Sequence, residues 1–403
     1  MNISVIIDSN PWIQNTASAN RWLTLINGLC EQKVQIKLLI YGGYLSEKEA
    51  NDWGKKGSKN NINYKYIRPK LIKGYWNLRF NNYIGFSLCQ KRIIKRLYQD
   101  IKNENEIVWT DSSVFGFKLA VYLKKKQVNQ KLFSEVSEFF DIYRYNKGNI
   151  LQRLNGFNRQ KYFENKAINS YDGLAFMTKT LLLYYKKYMK HGPKPLHLPM
   201  TVDLDRFNKD VDALVEFKKP YVAFVGVMDD AKDGVKVLIK AFHEIAKDYP
   251  KLKLYLVGGW NYDTPAHQEL IKELELKDRV YWVGEYPRDT IPSIICNAKL
   301  LVLPRPDSKQ AQGGFPTKLG EYLATGRPVC ATTVGEIPEY LEDKQSVYFA
   351  KPGSVTSFIN AMCNAMKNDE QANNVGEQGK KVAELYFNKK TQSKTLYNFL
   401  KQL

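Results

Sequence analysis

Short apolar strands alternate with amphipathic helices throughout the second half of the chain, and this alternation limits the fold more than any other feature of the sequence. Neighbouring parallel strands are joined by a crossover that is usually a helix, so the pattern predicts a parallel sheet with helices on both faces. The predicted strands are residues 221–226, 253–257, 279–283, 300–303, 329–332 and 347–350. We therefore expect a doubly wound α/β domain in this half.

The first half contains a second, less regular series of the same elements. Its predicted strands are residues 3–8, 33–41, 107–110, 132–135 and 171–178, and its predicted helices are residues 19–30, 84–98, 114–125, 153–170 and 181–190. Residues 49–73 are polar, and we predict a mobile loop at residues 54–61. A chain of 403 residues is long enough for two domains with separate cores. The predicted organisation is a domain over 1–207, a linker over 208–219, a domain over 220–386 and a last helix within 387–403.

Residues 313–329, GGFPTKLGEYLATGRPV, predict an anion site where a helix begins. The helix is expected over residues 317–325, since Gly326 is of the type that ends one. Amides at a helix N-terminus have no partner inside the helix, and the helix dipole adds positive potential there. The residues expected to form the turn and hold a phosphate are Gly313, Gly314, Phe315, Pro316, Thr317, Lys318 and Leu319.

Glu321 lies one turn further into this helix. At that distance its carboxylate could accept two hydrogen bonds from a ribose diol, as the acidic residue of dinucleotide-binding folds does. This stretch is therefore interpreted as a cradle for a nucleotide diphosphate. The alternative is a helix that follows a glycine-rich turn and binds nothing.

The same stretch resembles the donor-binding segment of family 4 retaining glycosyltransferases. A second resemblance lies at residues 195–207, where Pro199, Asp203, Arg206 and Phe207 fit the segment by which that family leaves its first domain. The resemblance implies the GT-B fold, in which two Rossmann-like, doubly wound parallel-sheet domains face a central cleft. It also implies a nucleotide-diphosphate sugar bound by the second domain, an acceptor bound by the basic first domain, and a last helix that can pack back on the first domain.

The sequence departs from this family at three positions. The first of the family's two glutamates falls on Gly313, the arginine after the first strand of the second domain falls on Val227, and the histidine of the first domain is absent. In the loop that starts at Gly226, Lys232 falls near the position of the family's lysine. It is the candidate contact to the leaving phosphate, and the alternative is an ordinary solvated lysine. Arg305 and Lys318 are candidates to supply the missing charge.

Candidate residues in the first domain follow two of its strands. Residues 9–20 come after the first strand, so this loop is at the ligand edge of the sheet, and its acceptor-binding candidates are Asn15, Thr16 and Ser18. Glu135 and Glu138 take the place of the absent histidine as a base or a nucleophile. The alternative for the loop is an ordinary polar connection. The alternative for Glu135 and Glu138 is that they cap helices or pair with nearby lysines.

The net charge of +20 is concentrated before residue 208. Such a field would attract nucleic acid, an anionic membrane surface or an acidic substrate, and a solvated lysine-rich surface is the alternative. The basic helix predicted at residues 84–98 could lie on a membrane or pack against the domain. Four histidines and five scattered cysteines show no metal-ligand spacing, and the cysteines are expected to be reduced.

We predict a metal-independent hexosyltransferase that uses a nucleotide sugar as its only co-substrate. The acceptor would be a glycan or a polyprenyl-linked sugar of bacterial surface polysaccharide synthesis, reached from the cytoplasmic face of the membrane through peripheral contact, with retention of configuration and without nucleic acid. The rival is a basic membrane- or polyanion-binding protein with a vestigial donor site. Within the enzyme class, a nucleotide-sugar epimerase or a phosphorylase is a further alternative.

Overall fold

The computed structural model describes residues 1–14, 16–71, 86–102, 107–140, 158–190, 192–207 and 211–403, with the backbone alone for residues 86–89. The chain divides into two compact units. The first comprises Met1–Leu198 together with Ser393–Leu403, and the second comprises Pro199–Gln392. The last helix of the chain thus contributes most of its length to the first unit.

An eight-stranded sheet forms the first unit, in the order β3-β4-β2-β1-β5-β6-β7-β8. Its strands are β1 (Asn2–Ile7), β2 (Gln35–Ile40), β3 (Lys56–Lys59), β4 (Ile62–Tyr66), β5 (Ile107–Thr110), β6 (Lys131–Val136), β7 (Gly173–Phe176) and β8 (Lys194–His197). All neighbours pair in parallel except β3 and β4. Successive residues of β1 belong to apolar clusters on opposite faces, Ile6 to one and Val5 and Ile7 to the other, so both faces of the sheet are covered.

The helices of the first unit lie between these strands, and several of them begin at side-chain caps. They are α1 (Ala17–Cys30), α2 (Glu47–Trp53), α3 (Phe86–Ile101), α4 (Val114–Lys125) and α5 (Lys179–Lys186), with a π-helical turn at Phe163–Ala167 and a 3-10 turn at Ile168–Ser170 before β7. The side chains of Thr16, Ser113 and Thr178 accept hydrogen bonds from first-turn amides of α1, α4 and α5.

The second unit is built on a six-stranded, fully parallel sheet in the order β11-β10-β9-β12-β13-β14. Its strands are β9 (Tyr221–Val225), β10 (Lys253–Val257), β11 (Val280–Gly284), β12 (Leu300–Leu303), β13 (Val329–Thr332) and β14 (Tyr348–Ala350). The strand order reverses beside β9, since the chain first adds β10 and β11 on one side and then β12 to β14 on the other. The doubly wound parallel sheet predicted from the sequence is therefore confirmed.

Ten helices follow or separate these strands among the residues described after β9. They are α6 (Asp230–Asp233), α7 (Val235–Asp248), α8 (Thr264–Glu273), α9 (Ile291–Ile295), α10 (Lys309–Gly313), α11 (Thr317–Ala324), α12 (Ile337–Tyr340), α13 (Val355–Lys367), α14 (Asp369–Val382) and α15 (Lys389–Lys401). A π-helical turn at Ala383–Phe387 follows α14. Within the described ranges, no helix combines the length and the apolar character needed to cross a membrane.

The prediction of a mobile loop over residues 54–61 is wrong. These residues include β3, which pairs with β4 in an antiparallel hairpin, and the preceding polar residues form α2. Asn60 and Asn61 have φ of 51° and 63° and form the turn, because asparagine tolerates the left-handed backbone that a two-residue hairpin requires. Buried Ile62, Tyr64 and Tyr66 alternate with less buried residues in β4, a signal that was present in the sequence.

Helix α3 uses its apolar stripe for packing. Ile93, Ile94 and Leu97 are buried in a core cluster of the first unit, while Lys91, Arg92, Lys95 and Arg96 are exposed. The interpretation of this helix as a packing face is therefore confirmed for the part that begins at residue 90. Ile84 lies outside the described residues, as do residues 153–157 of the helix predicted over 153–170 and residues 208–210 of the linker.

Helix α15 closes the core of the first unit. Leu396 and Leu400 are 0 % and 3 % exposed and belong to the apolar cluster that contains β1 and β2. Gly173, which opens β7, has no space for a side chain because Phe399 and Leu403 lie 2.8–2.9 Å from the position that a Cβ would take. These residues are thus part of the first core although they follow the second unit along the chain.

We predict that Leu396→Ala lowers the free energy of unfolding of the first unit by about 2–5 kcal/mol, the range for removing a fully buried leucine. Lys394→Ala, in the same helix at an exposed position, should change it by less than about 0.5 kcal/mol. Urea denaturation of the full chain, followed by tryptophan fluorescence, measures both changes. Equal losses in the two variants would show that the helix contributes through its backbone and not through its buried face.

Candidate functional site

Three segments of the second unit lie together beside the carboxyl ends of the adjacent strands β9 and β12. One runs from Gly226 to α7, one follows β12 at Pro304, and one joins α10 to α11. Gly234 has a φ of 70°, and a side chain there would overlap the carbonyl of Pro304. The close approach of these backbones lies where the strand order reverses, which is where open parallel sheets bind their ligands.

Side-chain hydrogen bonds hold the loop after β9 in place. The Asp229 carboxylate accepts the amide of Lys232 at 3.0 Å and so caps α6, and Asp230 accepts the amide of Lys236 at 2.7 Å. The buried His267 imidazole lies 3.0 Å from Asp230. Burial acts to raise the pKa of Asp230, but the hydrogen bonds from His267 and the Lys236 amide outweigh it and lower that pKa. Asp230 therefore stays ionised and fixes the loop to α8.

The Lys318 side chain is 18 % exposed, and its ammonium is turned toward groups inside the domain. Its ammonium lies 2.8 Å from the carboxylate of Asp233, which is 1 % exposed, and 4.6 Å from the ring centroid of Phe224. A side chain at Gly226 would overlap the Lys318 ammonium, so glycine at the end of β9 makes the space that the lysine fills. Lys318 therefore ties the loop after β9 to α11.

Two further cations lie within electrostatic range of this ion pair. Burial lowers the pKa of Lys318, Asp233 raises it, and Lys232 and Arg305 lower it further, which places both of these cations within electrostatic range. Lys232 is half-buried. Arg305 is 5 % exposed, and its carbonyl accepts a hydrogen bond from Thr332 at 2.6 Å. Lys232, Arg305 and Lys318 thus bring three cations close to the N-terminus of α11, where the helix dipole also favours an anion.

The glycine-rich stretch before α11 differs in part from its predicted form. Gly313 is buried as the last residue of α10 and is not part of an open turn, because Ser308 caps that short helix and the Gly314 amide bonds to the Gln310 carbonyl. Phe315 is 6 % exposed and packs against Tyr340 and Phe387, with ring centroids 5.7 Å and 5.1 Å away. The turn is therefore anchored by an aromatic contact, a role that the sequence did not indicate.

Helix α11 begins at Thr317, directly after Pro316, as the sequence predicts. One detail of the predicted anion site is wrong, because the Leu319 amide donates to the Pro316 carbonyl at 3.0 Å in a tight first turn. Thr317 and Lys318 are the first two helical residues, whose amides have no acceptor inside the helix. They are the candidates that remain for a phosphate.

Glu321 is on the same helix and carries a partner that the sequence analysis missed. One carboxylate oxygen accepts a hydrogen bond from the Arg206 guanidinium at 3.1 Å, and the Glu321 side chain is 20 % exposed. Arg206 and the adjacent Phe207 are part of the segment that resembles the family. Nothing in that resemblance indicated a contact between Arg206 and Glu321. Only the fold brings residue 206 to residue 321.

The candidates of the first unit lie at the carboxyl ends of β1 and β6. Glu135 is buried and accepts a hydrogen bond from Arg21 at 2.7 Å, and Arg21 also donates to the Leu198 carbonyl at 2.9 Å. Its partner is therefore an arginine of α1, a residue that sequence reasoning did not single out. Glu138 is half-buried just beyond β6. The roles of both glutamates as base or nucleophile stay predictions.

The acceptor candidates are near the start of α1. The Thr16 hydroxyl accepts the Ala19 amide at 3.1 Å and caps the helix, while Ser18 lies exposed in the first turn. Asn15 lies outside the described residues. A local structural role is thus established for Thr16, and acceptor binding by these residues stays a prediction.

We predict that Asp233→Asn destabilises the second unit by about 3–5 kcal/mol, because it leaves the Lys318 ammonium buried without its counter-charge. Changing Lys318 to Met in addition should recover part of this loss. Asp369→Asn is the comparison, because Asp369 forms an ion pair with Lys299 while its own side chain is 71 % exposed. This change should lower the free energy of unfolding by less than about 1 kcal/mol. Urea denaturation compares the three, and a small loss in Asp233→Asn would contradict the importance of the buried pair.

Residues 205–382 match the family described as glycosyl transferases group 1. The chain is 26 % identical over 221 residues to N-acetyl-alpha-D-glucosaminyl L-malate synthase of Bacillus anthracis, which covers 49 % of this chain and 56 % of that protein. It spans about half the length of the curated relatives that it matches.

Solved structures match over the whole chain. Sucrose-phosphate synthase of Thermosynechococcus elongatus superposes with a TM-score of 0.77 at 15 % identity, covering 100 % of this chain and 98 % of that one. HepE of Anabaena, solved with UDP and glucose, superposes with a TM-score of 0.68 at 12 % identity and full coverage of both chains. With two parallel-sheet α/β units and these neighbours, the chain has the GT-B fold, and its second unit contains the region that matches glycosyl transferases group 1.

Proposed function

We propose that the protein is a glycosyltransferase that takes its sugar from a nucleotide-diphosphate donor bound by the second unit. The observation that supports this most is the group of Lys232, Arg305 and Lys318 at the N-terminus of α11. This group lies within the region that matches glycosyl transferases group 1, and a structural neighbour was solved with UDP and glucose.

In this proposal the site acts on the leaving diphosphate. Departure of the sugar concentrates negative charge on the diphosphate, and cations with fixed amides stabilise that charge most when they are already in place. Lys232, in the loop after β9, and the backbone amides of Thr317 and Lys318, at the start of α11, would contact the diphosphate. Arg305 would add positive potential from the segment after β12. The internal pair with Asp233 holds the Lys318 side chain, so that its backbone amide is presented in a fixed direction.

We propose a hexosyl-type sugar and transfer with retention, through attack of the acceptor hydroxyl on the same face as the departing diphosphate. This route needs no nucleophile from the protein. The alternative is a covalent intermediate on Glu135 or Glu138. In the structure the Arg21 guanidinium donates a hydrogen bond to one oxygen of the Glu135 carboxylate.

For the acceptor we propose a glycan or a polyprenyl-linked sugar of bacterial surface polysaccharide synthesis, bound by the basic first unit. Contact with the cytoplasmic face of an anionic membrane would bring such an acceptor within reach. The exposed Lys91, Arg92, Lys95 and Arg96 of α3 support this, because their apolar neighbours are used for packing and the basic side of the helix is left to solvent.

The rival function is a basic membrane- or polyanion-binding protein whose donor site is vestigial. Titration calorimetry with UDP, GDP and heparin separates the two proposals. Saturable binding of a nucleoside diphosphate with one-to-one stoichiometry supports the enzyme. Heat from heparin alone, with a steep dependence on salt concentration, would support the rival.

We predict that Lys232→Ala lowers kcat for consumption of the donor sugar by about 10- to 1,000-fold, since one group that stabilises developing charge is lost. Glu321→Ala should mainly raise KM for the donor, because its contact is to the nucleotide and not to the reacting atoms. Release of nucleoside diphosphate from a panel of nucleotide sugars measures both. Lys240→Ala, exposed on α7, is the matched control. Full activity in the first two variants would overturn the assignment of the site.

We also propose that catalysis needs no metal ion, since protein cations surround the expected diphosphate. Activity should then be unchanged, within about twofold, after treatment with EDTA and after addition of Mg²⁺ or Mn²⁺, because no step would rely on a metal Lewis acid. The same release assay measures this. Loss of activity in EDTA that Mg²⁺ restores would contradict metal independence while leaving the glycosyltransferase proposal intact.

A further inference from the structure

Arg206 connects three segments of the second unit through a single guanidinium. One terminal nitrogen donates to the Glu321 carboxylate at 3.1 Å, and the other donates to the carbonyl of Arg288 at 2.7 Å. The guanidinium also lies 5.1 Å from the ring centroid of Phe207, which is 2 % exposed. Two hydrogen bonds in different directions and a ring contact fix the orientation of a planar cation more firmly than one ion pair does.

The turn that carries Arg206 is itself fixed to the domain. Arg206 ends a 3-10 turn at Leu204–Arg206, and the preceding Asp203 pairs with the largely buried Lys389 at 3.2 Å. The neighbouring Val202 exchanges backbone hydrogen bonds with the segment at Phe387 and Lys389. The turn from which the guanidinium reaches Glu321 is therefore anchored by these contacts.

Glu321 keeps hydrogen-bonding capacity on the side away from Arg206. An ionised carboxylate has about four lone-pair positions, and Arg206 occupies one of them on Oε1. The side chain is 20 % exposed, so the other positions are open to a ligand. A second guanidinium is close, since the pKa of Arg288 is lowered by burial and by Arg206 and is raised by Glu321. Two guanidinium groups, those of Arg206 and Arg288, therefore lie near the carboxylate.

We propose that Arg206 is a positioning residue that orients Glu321 to accept both hydroxyls of a ribose diol, so that this pair selects ribonucleotide over deoxyribonucleotide donors. The inference rests on the proposed function, because it assumes a nucleotide donor at α11. It goes beyond that proposal in assigning the selectivity to a contact between residues 206 and 321 and not to Glu321 alone. Without Arg206, the Glu321 side chain would sample several rotamers, and the diol would lose a fixed acceptor.

The test is the ratio of affinities for a ribonucleoside diphosphate and its 2′-deoxy analogue, measured by calorimetry with UDP and 2′-deoxy-UDP or with GDP and 2′-deoxy-GDP. The ratio is internal to each variant, so partial unfolding does not alter it. The wild-type protein should prefer the ribonucleotide by about tenfold or more, the range for a hydrogen bond to a charged group. Glu321→Ala and Arg206→Gln should both bring the ratio close to one.

Two further variants sharpen the comparison. Arg206→Lys keeps the charge but reaches only one of the two acceptors, so we expect it to recover a minor part of the ratio. Lys390→Gln is the matched control, since it removes a cation that lies 3.9 Å from Asp205 in the same turn and is 64 % exposed. It should leave the ratio at the wild-type value.

The outcomes distinguish this inference from the function on which it rests. Retention of the wild-type ratio in Arg206→Gln, together with its loss in Glu321→Ala, would overturn the positioning role alone. A wild-type protein that binds nucleoside diphosphates without preferring the ribonucleotide would overturn the selection of the diol. If the wild-type protein binds no nucleoside diphosphate of any base, the proposed function itself fails, and the inference fails with it.

Discussion

The buried ion pair between Asp233 and Lys318 is the contact on which the candidate site depends. It joins the loop after β9 to α11 across the carboxyl ends of the sheet, and it occupies space that exists only because residue 226 is glycine. A buried charge is tolerated when it is paired, because desolvation of an isolated ammonium is costly. The pair thus connects the two elements expected to hold a phosphate, and Lys232 and Arg305 lie within electrostatic range of it.

A second ion pair, between Arg206 and Glu321, connects the elements expected to hold the ribose of the nucleotide. Arg206 holds Glu321 from a turn that lies 115 residues earlier in the chain. Gly313 stands where the resembled family has its first glutamate, so it contributes no carboxylate. It ends the short helix α10, two residues before Phe315. In the proposed site, the residues that would bind diphosphate and ribose have fixed partners, whereas Gly313 stands where the resembled family has the glutamate that faces the sugar. Selectivity for the sugar has to come from residues other than the glutamate usual in the resembled family.

Most of the second unit could be predicted from sequence, because each of its strands is an apolar run that a parallel sheet buries on both faces. The bounds of β10, β12 and β13 agree with the predicted ranges. In the first unit the same reasoning failed for β3 and β4, since β3 is exposed along its whole length and has no apolar signal. A polar edge hairpin looks like a loop when only hydrophobicity is considered.

The sequence by itself determined that the chain forms parallel α/β sheets and that a glycine-rich turn precedes a helix at Thr317, since strand length, helical spacing and turn chemistry are local properties. It could not determine which charged groups are neutralised. Lys318 pairs with Asp233, Glu321 with Arg206, and Glu135 with Arg21, and each partner is 85 or more residues away. Only the tertiary structure decided these pairings, because a contact at that separation depends on how strands are ordered and where their loops converge.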